Sequence, residues 1–311
     1  MLLLLVLLAS LKAAELPQVT LAPREGVLRL AVTGDTGAGS TDVARGIARV
    51  HAREPLDGIV LTGDNFYPCG VKSPEDPRWS LARPLTRIGV PVYPVLGNHD
   101  FCGGAKPDAQ VAATGVIENW TFPARQYVAR SPVADFLFVD TTPLVKGKKN
   151  DVERAIRTAF DGSRAPWRVV VGHHPVVSSG YHGYFPRVEV SRMRTMIPAL
   201  RAAKADLYIC GHDHHVELLR GRMLHLVSGA GSKPIPPIKL RTTTVFPQEV
   251  RRERIGFAVL EITETRVRVR FYDAKGRARG DWITARVKPA VKRTSPAPSR
   301  KTSSPSSPRR D

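Results

Sequence analysis

The chain has 311 residues, 42% of them hydrophobic, and a formal net charge of +19. This length and composition exclude a chain too small or too polar to bury a core, and they suit a globular protein with one large α/β core or two small ones. The basic balance favours anionic partners, among them phosphate esters, polyphosphate, nucleic acid and a membrane surface.

The chain opens with an apolar segment that ends in small residues. Residues 1–14 read MLLLLVLLASLKAA, a run too short to span a bilayer but typical of a secretory signal peptide. We therefore assign residues 1–16 to a signal peptide and expect a periplasmic or secreted protein. Since no later apolar run is long enough for a membrane helix, we expect a soluble mature chain with no membrane span.

Strands and helices alternate along most of the chain. The predicted strands, in chain order, are VLRLAVTG, LDGIVLTG, VPVYPVLG, DFLFVD, WRVVVG, DLYIC and MLHLVSG. Helical periodicity occurs in TDVARGIARVHARE, near residues 78–88, in DVERAIRTAF and in VSRMRTMIPALRAAK. This alternation predicts an α/β fold, in which helices cover a largely parallel sheet.

The end of the chain changes character twice. The segment RIGFAVLEITETRVRVRFYDAKGRARGDWITARV alternates with a period of two, which predicts antiparallel strands at a sheet edge. Residues 286–311 then carry eight Lys or Arg against one Asp, amid Pro and Ser. We expect one compact domain over residues 17–286 and a disordered basic Pro/Ser-rich tail over 287–311. Such a tail is more typical of a solvated tether than of a nucleic-acid site.

Polar side chains follow the predicted strands at the points where the strands end. They are Asp35, Asp64 with Tyr67, Asn98 with His99, His173, and His212 with His214. Functional groups in open α/β sheets gather at the carboxyl ends of the strands, so five separate turns are expected to converge. A glycine directly precedes the first polar residue of each turn, and we expect it to let the chain turn sharply.

The converging side chains are good ligands for a hard or borderline metal ion. Carboxylate, amide oxygen, phenolate and imidazole suit iron, zinc or manganese, and the set contains no thiolate. Seven such groups exceed the needs of one metal with an open position. If one aspartate bridges, they form two four-ligand shells, which is the arrangement of two-metal phosphoryl hydrolases.

The three cysteines are too few for a disulfide framework. Cys69 and Cys102 each lie a few residues beyond one of these motifs, so a bridge between them and a pair of free thiols are both compatible with the sequence. Cys210 ends the apolar run DLYIC and is interpreted as a buried small hydrophobe.

The motif set resembles the calcineurin-like metallophosphoesterases, and most of all the purple acid phosphatases of the short tartrate-resistant type. The motifs stand in the family's order over roughly residues 28–232: GDTG (34–37), GDNFY (63–67), GNHD (97–100), VVGH (170–173) and GHDH (211–214). The resemblance implies the metallophosphoesterase β-sandwich, with two mixed sheets flanked by helices and the site in a crevice at one sheet edge.

The resemblance also implies roles for individual residues. Asp35, Asp64, Tyr67 and His214 would hold a ferric ion, with Asp64 bridging. Asn98, His173 and His212 would complete a second site for Fe(II), Zn or Mn. Tyr67 would supply the phenolate that marks the purple branch.

Further histidines beside these motifs are assigned by the same resemblance. His99 and His182 would contact the phosphate or protonate the departing alkoxide. In the GHH turn, His173 is favoured over His174 as the ligand. Asp100 and His215 are candidates for residues that orient the ligands without binding the metal themselves.

The resulting prediction is a hydrolase, an acid phosphatase that cleaves phosphate monoesters on small molecules or phosphoproteins with a metal-activated hydroxide. Two alternatives stay open. One is a phosphodiesterase or nucleotidase on the same scaffold, and the other is a non-catalytic basic protein that binds polyanions.

Overall fold

The computed structural model describes residues 15–148, 150–185, 187–247 and 254–285. Residues 1–14 of the predicted signal peptide and the predicted tail over 287–311 lie outside these residues. The domain boundaries proposed from the sequence therefore stay predictions. Within the described residues, no helix is both long and apolar enough to cross a membrane.

Fourteen strands in the described part of the chain form two mixed sheets. Their order is β1-β5-β6-β7-β8-β10-β9-β11 in the eight-stranded sheet and β14-β13-β12-β2-β3-β4 in the six-stranded sheet. The strands are β1 (Gln18–Thr20), β2 (Leu28–Thr33), β3 (Gly58–Leu61), β4 (Val92–Pro94), β5 (Gln126–Arg130), β6 (Ala134–Val139), β7 (Trp167–Val171), β8 (Leu207–Cys210), β9 (Val216–Leu219), β10 (Leu224–Ser228), β11 (Thr244–Pro247), β12 (Gly256–Ile262), β13 (Arg266–Asp273) and β14 (Ala278–Ala285). The predicted sandwich of two mixed sheets flanked by helices is confirmed.

The helices are mostly short. They are α1 (Thr41–Arg53), α2 (Arg83–Thr86), α3 (Asp108–Ala112), α4 (Thr142–Val145), α5 (Asn150–Thr158), α6 (Tyr181–Tyr184), α7 (Val188–Arg194) and α8 (Ile197–Ala202), with 3-10 turns at Pro77–Leu81 and Asn98–Phe101. The segments predicted to be helical near 78–88 and over 190–204 do contain helices, but each divides into two pieces. Pro84 and Pro198 stand in the first turn of α2 and α8. An N–H in the first turn has no partner within the helix, so proline is tolerated there, but it prevents the preceding helix from continuing.

Strand β7 shows why the central strands are apolar on both faces. Val169 and Val171 pack into the core between the two sheets, whereas Val170 packs into a second core that also contains Ile156 of α5 and Met193 of α7. A strand covered on both sides needs a continuous apolar run, and WRVVV supplies it. The eight-stranded sheet is therefore the middle layer between the other sheet and the helices α5, α7 and α8.

The parallel pairs bring the ends of the predicted strands to the same edge. β2, β3 and β4 pair in parallel in one sheet, and β6, β7, β8 and β10 do so in the other. The antiparallel strands β12, β13 and β14 extend the six-stranded sheet beyond β2, as their alternating sequence predicted. The loops that follow β2, β3, β4, β7 and β8 consequently meet where the two sheets face each other.

Candidate metal centre

The five motif turns are joined directly to one another by hydrogen bonds. The Asp35 N–H donates to the carbonyl of Gly63 (2.9 Å), and the Gly211 N–H donates to the carbonyl of His173 (3.0 Å). One further bond crosses between the sheets, since the His212 N–H donates to Asp35 Oδ2 (2.9 Å). The site is thus built on the ends of strands from both sheets.

The glycines before the polar residues serve close packing more than turning. Among the ligand candidates, Asp35, Asp64 and His212 themselves have φ of 56°, 52° and 66°. Such left-handed backbone is costly for a non-glycine residue and is typical of functional sites. A Cβ added at Gly97 would come closer than 3.0 Å to Asp64 Oδ1. The sharp-turn role expected for these glycines holds for Gly63 (φ 94°), while Gly97 is required because it makes room for a ligand.

A first cluster of donor atoms surrounds the hydroxyl of Tyr67. This hydroxyl lies 3.1 Å from Asp35 Oδ1, 3.1 Å from Asp64 Oδ2 and 3.2 Å from His214 Nε2. His214 Nε2 is also 3.3 Å from Asp35 Oδ1. The four side chains predicted to share one metal therefore converge.

A second cluster surrounds the ring of His173. Its Nε2 atom lies 3.1 Å from Asn98 Oδ1 and 3.1 Å from His212 Nδ1. Asp64 Oδ1 is 3.5 Å from the same atom. Because the other oxygen of Asp64 faces Tyr67, this carboxylate lies between the two clusters.

The positions of the hydrogens test whether these clusters suit a cation. His173 Nδ1 lies 2.8 Å from the carbonyl of Thr62, and His214 Nδ1 lies 2.8 Å from that of Lys233. A carbonyl only accepts, so each Nδ1 carries a hydrogen, and in the neutral ring each Nε2 presents a lone pair to its cluster.

The lone pairs in each cluster outnumber the available hydrogens. One phenol hydrogen of Tyr67 cannot serve Asp35, Asp64 and His214 together. Around His173, the lone pairs of nitrogen and the amide oxygen of Asn98 face one another. Acceptors held this close repel unless a cation lies between them, so the donor set fits metal ions of the iron, zinc or manganese kind. Asp35, Asp64 and His173 also offer atoms within 4.8 Å of one another.

The electrostatics of the protein alone oppose a phenolate at Tyr67. Burial raises the pKa of this phenol, and the negative charges of Asp35 and Asp64 raise it further. Burial also opposes ionisation of Asp35, but in the metal-free protein a hydrogen bond from the protonated form of His214 and the charges of the nearby histidines outweigh burial and lower the pKa of Asp35. A bound cation reverses this balance for the phenol, since it stabilises the deprotonated form.

The two histidines predicted to act on the substrate contact different clusters. The His99 ring packs edge-on against the Tyr67 ring at 4.7 Å, and its Nδ1 lies 2.7 Å from the carbonyl of Pro68. The His182 ring lies 3.9 Å from that of His212. Each borders an open cavity, of about 330 Å³ at His99 and about 310 Å³ at His182.

The remaining polar residues of the motifs support the turns. The Asp100 carboxylate accepts from the N–H of Gly97 (2.8 Å) and from Gln110 Nε2 (2.8 Å), and it holds the Asn98 turn closed. Burial, then the charge of Asp64, raises the pKa of Asp100 to about 7. His215 Nε2 lies 3.1 Å from Glu217 Oε2, in a buried network behind the site.

His174 is next to His173 in the chain but contacts a different partner. Its Nδ1 is 2.8 Å from the hydroxyl of Thr141, and burial lowers its pKa well below the usual range. Its ring also offers an atom within 4.8 Å of His173 and His212. Asn98 contacts His173, which stays the ligand we predict from this turn.

One residue at the centre was missed by the sequence analysis. Glu189, on α7, places Oε1 2.7 Å from His212 Nε2 and Oε2 3.6 Å from His182 Nδ1. Burial opposes the charge of Glu189, but the neighbouring rings of His182 and His212 outweigh it and lower the pKa of this carboxyl. No strand end or motif marks this position, so only the tertiary structure reveals it.

The cysteines beside the motifs are bonded to each other. Cys69 and Cys102 form a disulfide, which ties the loop after Tyr67 to the turn after Asn98. Cys210 is buried and free, as the apolar run predicted.

Comparisons with known proteins agree with the motif order. Residues 28–216 match the family described as Calcineurin-like phosphoesterase. The chain is 30% identical to Purple acid phosphatase 4 of Arabidopsis thaliana, over 91% of both chains, and 28% identical to Tartrate-resistant acid phosphatase type 5 of Sus scrofa, over 81% of this chain and 85% of that one. In structure it resembles GAP50, the anchor in the inner membrane complex of Plasmodium, with a TM-score of 0.70 and 26% identity over 85% of this chain and 90% of that one.

Proposed function

Because this chain belongs to the calcineurin-like phosphoesterase family, as a metal-dependent phosphatase similar to the purple acid phosphatases, we propose that it is a secreted or periplasmic acid phosphatase with a dinuclear centre of Fe(III) and Fe(II), Zn or Mn. Its substrates are phosphate monoesters on small molecules or phosphoproteins. The observation that carries this proposal is the position of Asp64, whose two carboxylate oxygens face two separate clusters of donor atoms.

The residues divide between the two ions as the clusters suggest. Asp35, Tyr67 and His214 would hold the first ion, Asn98, His173 and His212 would hold the second, and Asp64 would contribute to both. Two bound cations supply Lewis acidity, which lowers the pKa of water and offsets the charge of the phosphate.

The protein's own residues orient the ester and move its proton. His99 packs against Tyr67 of the first cluster and His182 against His212 of the second, so one would contact the phosphate oxygens while the other donates a proton to the leaving alkoxide. His99 Nδ1 is held by the carbonyl of Pro68, which leaves Nε2 toward the open cavity as the atom that exchanges a proton.

The disulfide supports the proposed location. Bridges such as Cys69–Cys102 form and persist in oxidising compartments, which include the periplasm and the extracellular space. The predicted signal peptide points to the same compartments.

The test compares the visible absorption spectra of the purified protein and of a Tyr67→Phe variant. The metal content of the protein and its hydrolysis of phenyl phosphate at mildly acidic pH are measured in parallel. A visible band that is absent from the variant, two metals per chain and monoesterase activity are the expected results. A colourless, two-metal protein that prefers diesters would instead support the phosphodiesterase alternative. A protein without metal or activity that still binds polyphosphate would support the non-catalytic alternative, which the likeness to an anchor protein motivates.

A further inference from the structure

Each histidine predicted to bind a metal has an acceptor behind it. The Nδ1 hydrogens of His173 and His214 meet the backbone carbonyls of Thr62 and Lys233, both at 2.8 Å. For His212 the acceptor is a charged side chain, because Nε2 lies 2.7 Å from Glu189 Oε1. We propose that Glu189 is a positioning residue that holds His212 and His182 for the second metal site, a role that rests on the proposed function.

The tautomer of His212 follows from this contact. The negative carboxylate of Glu189, 2.7 Å from Nε2, favours the tautomer with its hydrogen on that nitrogen. This tautomer leaves the lone pair on Nδ1, the atom that faces His173 Nε2 at 3.1 Å. Without Glu189, either nitrogen of His212 carries the hydrogen, and in one of the two tautomers the second cluster loses a donor. An ionised carboxylate also makes this imidazole a more electron-rich ligand than a carbonyl does.

Glu189 is held in place by the packing of its helix. Its neighbours on α7, Val190 and Met193, are buried, Met193 in the second core, and Arg192 Nη1 donates to the carbonyl of Val145 (2.5 Å). The Glu189 side chain is only 24% exposed. Helix α7 therefore positions the Glu189 carboxylate, while the end of strand β8 positions His212.

The same carboxylate reaches the histidine that borders the second cavity. Glu189 Oε2 lies 3.6 Å from His182 Nδ1, and the His182 backbone N–H donates to Asp213 Oδ1 (2.8 Å). Asp213 sits between His212 and His214 and also accepts from the Gly183 N–H (3.0 Å), so the loop of His182 is anchored to the ligand turn at two points. Glu189 thereby couples the orientation of a candidate ligand to that of a candidate proton donor.

The backbone of His212 explains why such an acceptor is needed. Its φ of 66° is unfavourable for a histidine and persists only where surrounding contacts determine it. The His212 N–H is bonded to Asp35, and the Glu189 carboxylate constrains the far end of the ring.

The test is zinc release from the full-length, zinc-loaded protein to a chromophoric chelator, followed in time. We expect two zinc ions per chain, released in two phases. Glu189→Ala should accelerate one phase on the order of 10- to 100-fold and leave the other unchanged. Glu189→Gln should fall between, because its amide oxygen still accepts the hydrogen but carries no charge. Asn98→Ala should accelerate the same phase, and Tyr67→Phe the other.

Glu118→Gln, at an exposed glutamate of the loop before Trp120, is the matched control and should release zinc like the wild type. Thermal unfolding of the metal-free variants separates a site effect from a folding defect, and the Gln variant is expected to unfold like the wild type. Two ions released at unchanged rates from Glu189→Ala would overturn the positioning role while leaving the proposed function intact.

Two other results would overturn the proposal in different ways. A third zinc that disappears in Glu189→Ala would assign His182, Glu189 and His212 to a separate metal site, since their donor atoms lie within 4.8 Å of one another. A wild-type protein that binds fewer than two ions and lacks esterase activity would remove the proposed function itself, and the role of Glu189 with it.

Discussion

The Nε2 atom of His173 lies 3.1 Å from the Nδ1 atom of His212. The outer nitrogen of His173 faces the carbonyl of Thr62 and that of His212 faces the Glu189 carboxylate, so both inner nitrogens present lone pairs when the rings are neutral. A protein that holds acceptors so close together is stabilised by whatever cation separates them. We therefore expect zinc to stabilise the metal-free protein by about 2.7 kcal/mol at 100 times its dissociation constant, a shift of several degrees in Tm.

The measurement is thermal unfolding of the metal-free protein with and without zinc. His173→Ala should lose a large part of the zinc-induced shift. His225→Ala, on strand β10, should retain the zinc-induced shift whatever its starting Tm. An equal shift in the His173 variant would contradict a cation site at this ring.

Gly97 sits against the carboxylate that faces both clusters. A methyl group there would come closer than 3.0 Å to Asp64 Oδ1 and to the backbone nitrogen of Asp64. We expect Gly97→Ala to reduce bound metal to less than one ion per chain, measured by elemental analysis, and to abolish esterase activity. Gly162→Ala provides the control. An alanine at the φ of 70° found there costs about 1 kcal/mol of stability, but nothing lies within 4 Å of its methyl group. Full metal content in Gly97→Ala would show that metal binding by Asp64 does not depend on the absence of a side chain at residue 97.

The disulfide closes a loop between residues 33 apart in the chain. Constraining the unfolded chain over such a loop contributes about 3–4 kcal/mol. We expect the double variant Cys69→Ser, Cys102→Ser to be destabilised by about that amount in urea unfolding. Titration of the denatured wild type should find a single free thiol, from Cys210. Three free thiols in freshly purified protein would contradict the bridge.

Asp273 stabilises the turn between β13 and β14. Its carboxylate accepts from the N–H groups of Lys275 (2.9 Å) and Arg277 (3.0 Å), and from the side chain of Arg279 (3.1 Å). Burial opposes the charge, but these bonds outweigh it and lower the pKa of Asp273 to about 2, against an ordinary value of 3.8.

Because the folded pKa of Asp273 is the lower one, its contribution is complete above the unfolded value and is lost as the pH falls from about 4 to about 2. We expect Asp273→Asn to cost about 2 kcal/mol of unfolding free energy at pH 7 and progressively less below pH 4. Asp108→Asn, which breaks an exposed pair with Arg125, should cost less than about 1 kcal/mol. A loss in Asp273→Asn that does not shrink in acid would show that the carboxylate's charge is not the cause.

The positions of the motif residues followed from the sequence because local patterns determine them. Apolar runs such as VLRLAVT and WRVVV mark strands covered on both faces, and the polar residue after each run must lie at the strand's end. The convergence of Asp35, Asp64 and His173 then needs only parallel pairing within sheets that face each other.

Other features depend on contacts that no local pattern encodes. Strands β5 and β9 were missed because QYVAR and VELL lack a long apolar run, and they form by pairing with β6 and β10. Glu189 lies in a polar helical segment, where a charged side chain is expected to face solvent. Its meeting with His212 depends on how α7 packs beside β8, a relationship between elements that are separate in the chain.

Lys233 supplies a positive charge at the mouth of the cavity beside His99. Its Nζ lies 5.3 Å from the centre of the Tyr67 ring, whereas its backbone carbonyl, which a side-chain substitution leaves in place, holds His214. We expect Lys233→Ala to retain both metals but to raise KM for phenyl phosphate on the order of threefold to tenfold, with kcat little changed, because one partly screened attraction of about 1 kcal/mol to the dianion is lost. The difference from the wild type should shrink as salt is raised, since exposed charges are screened. Lys239→Ala, an exposed lysine of the same loop, should leave KM unchanged, and an equal effect of both variants would indicate a general loss of positive charge instead of a contact at this cavity.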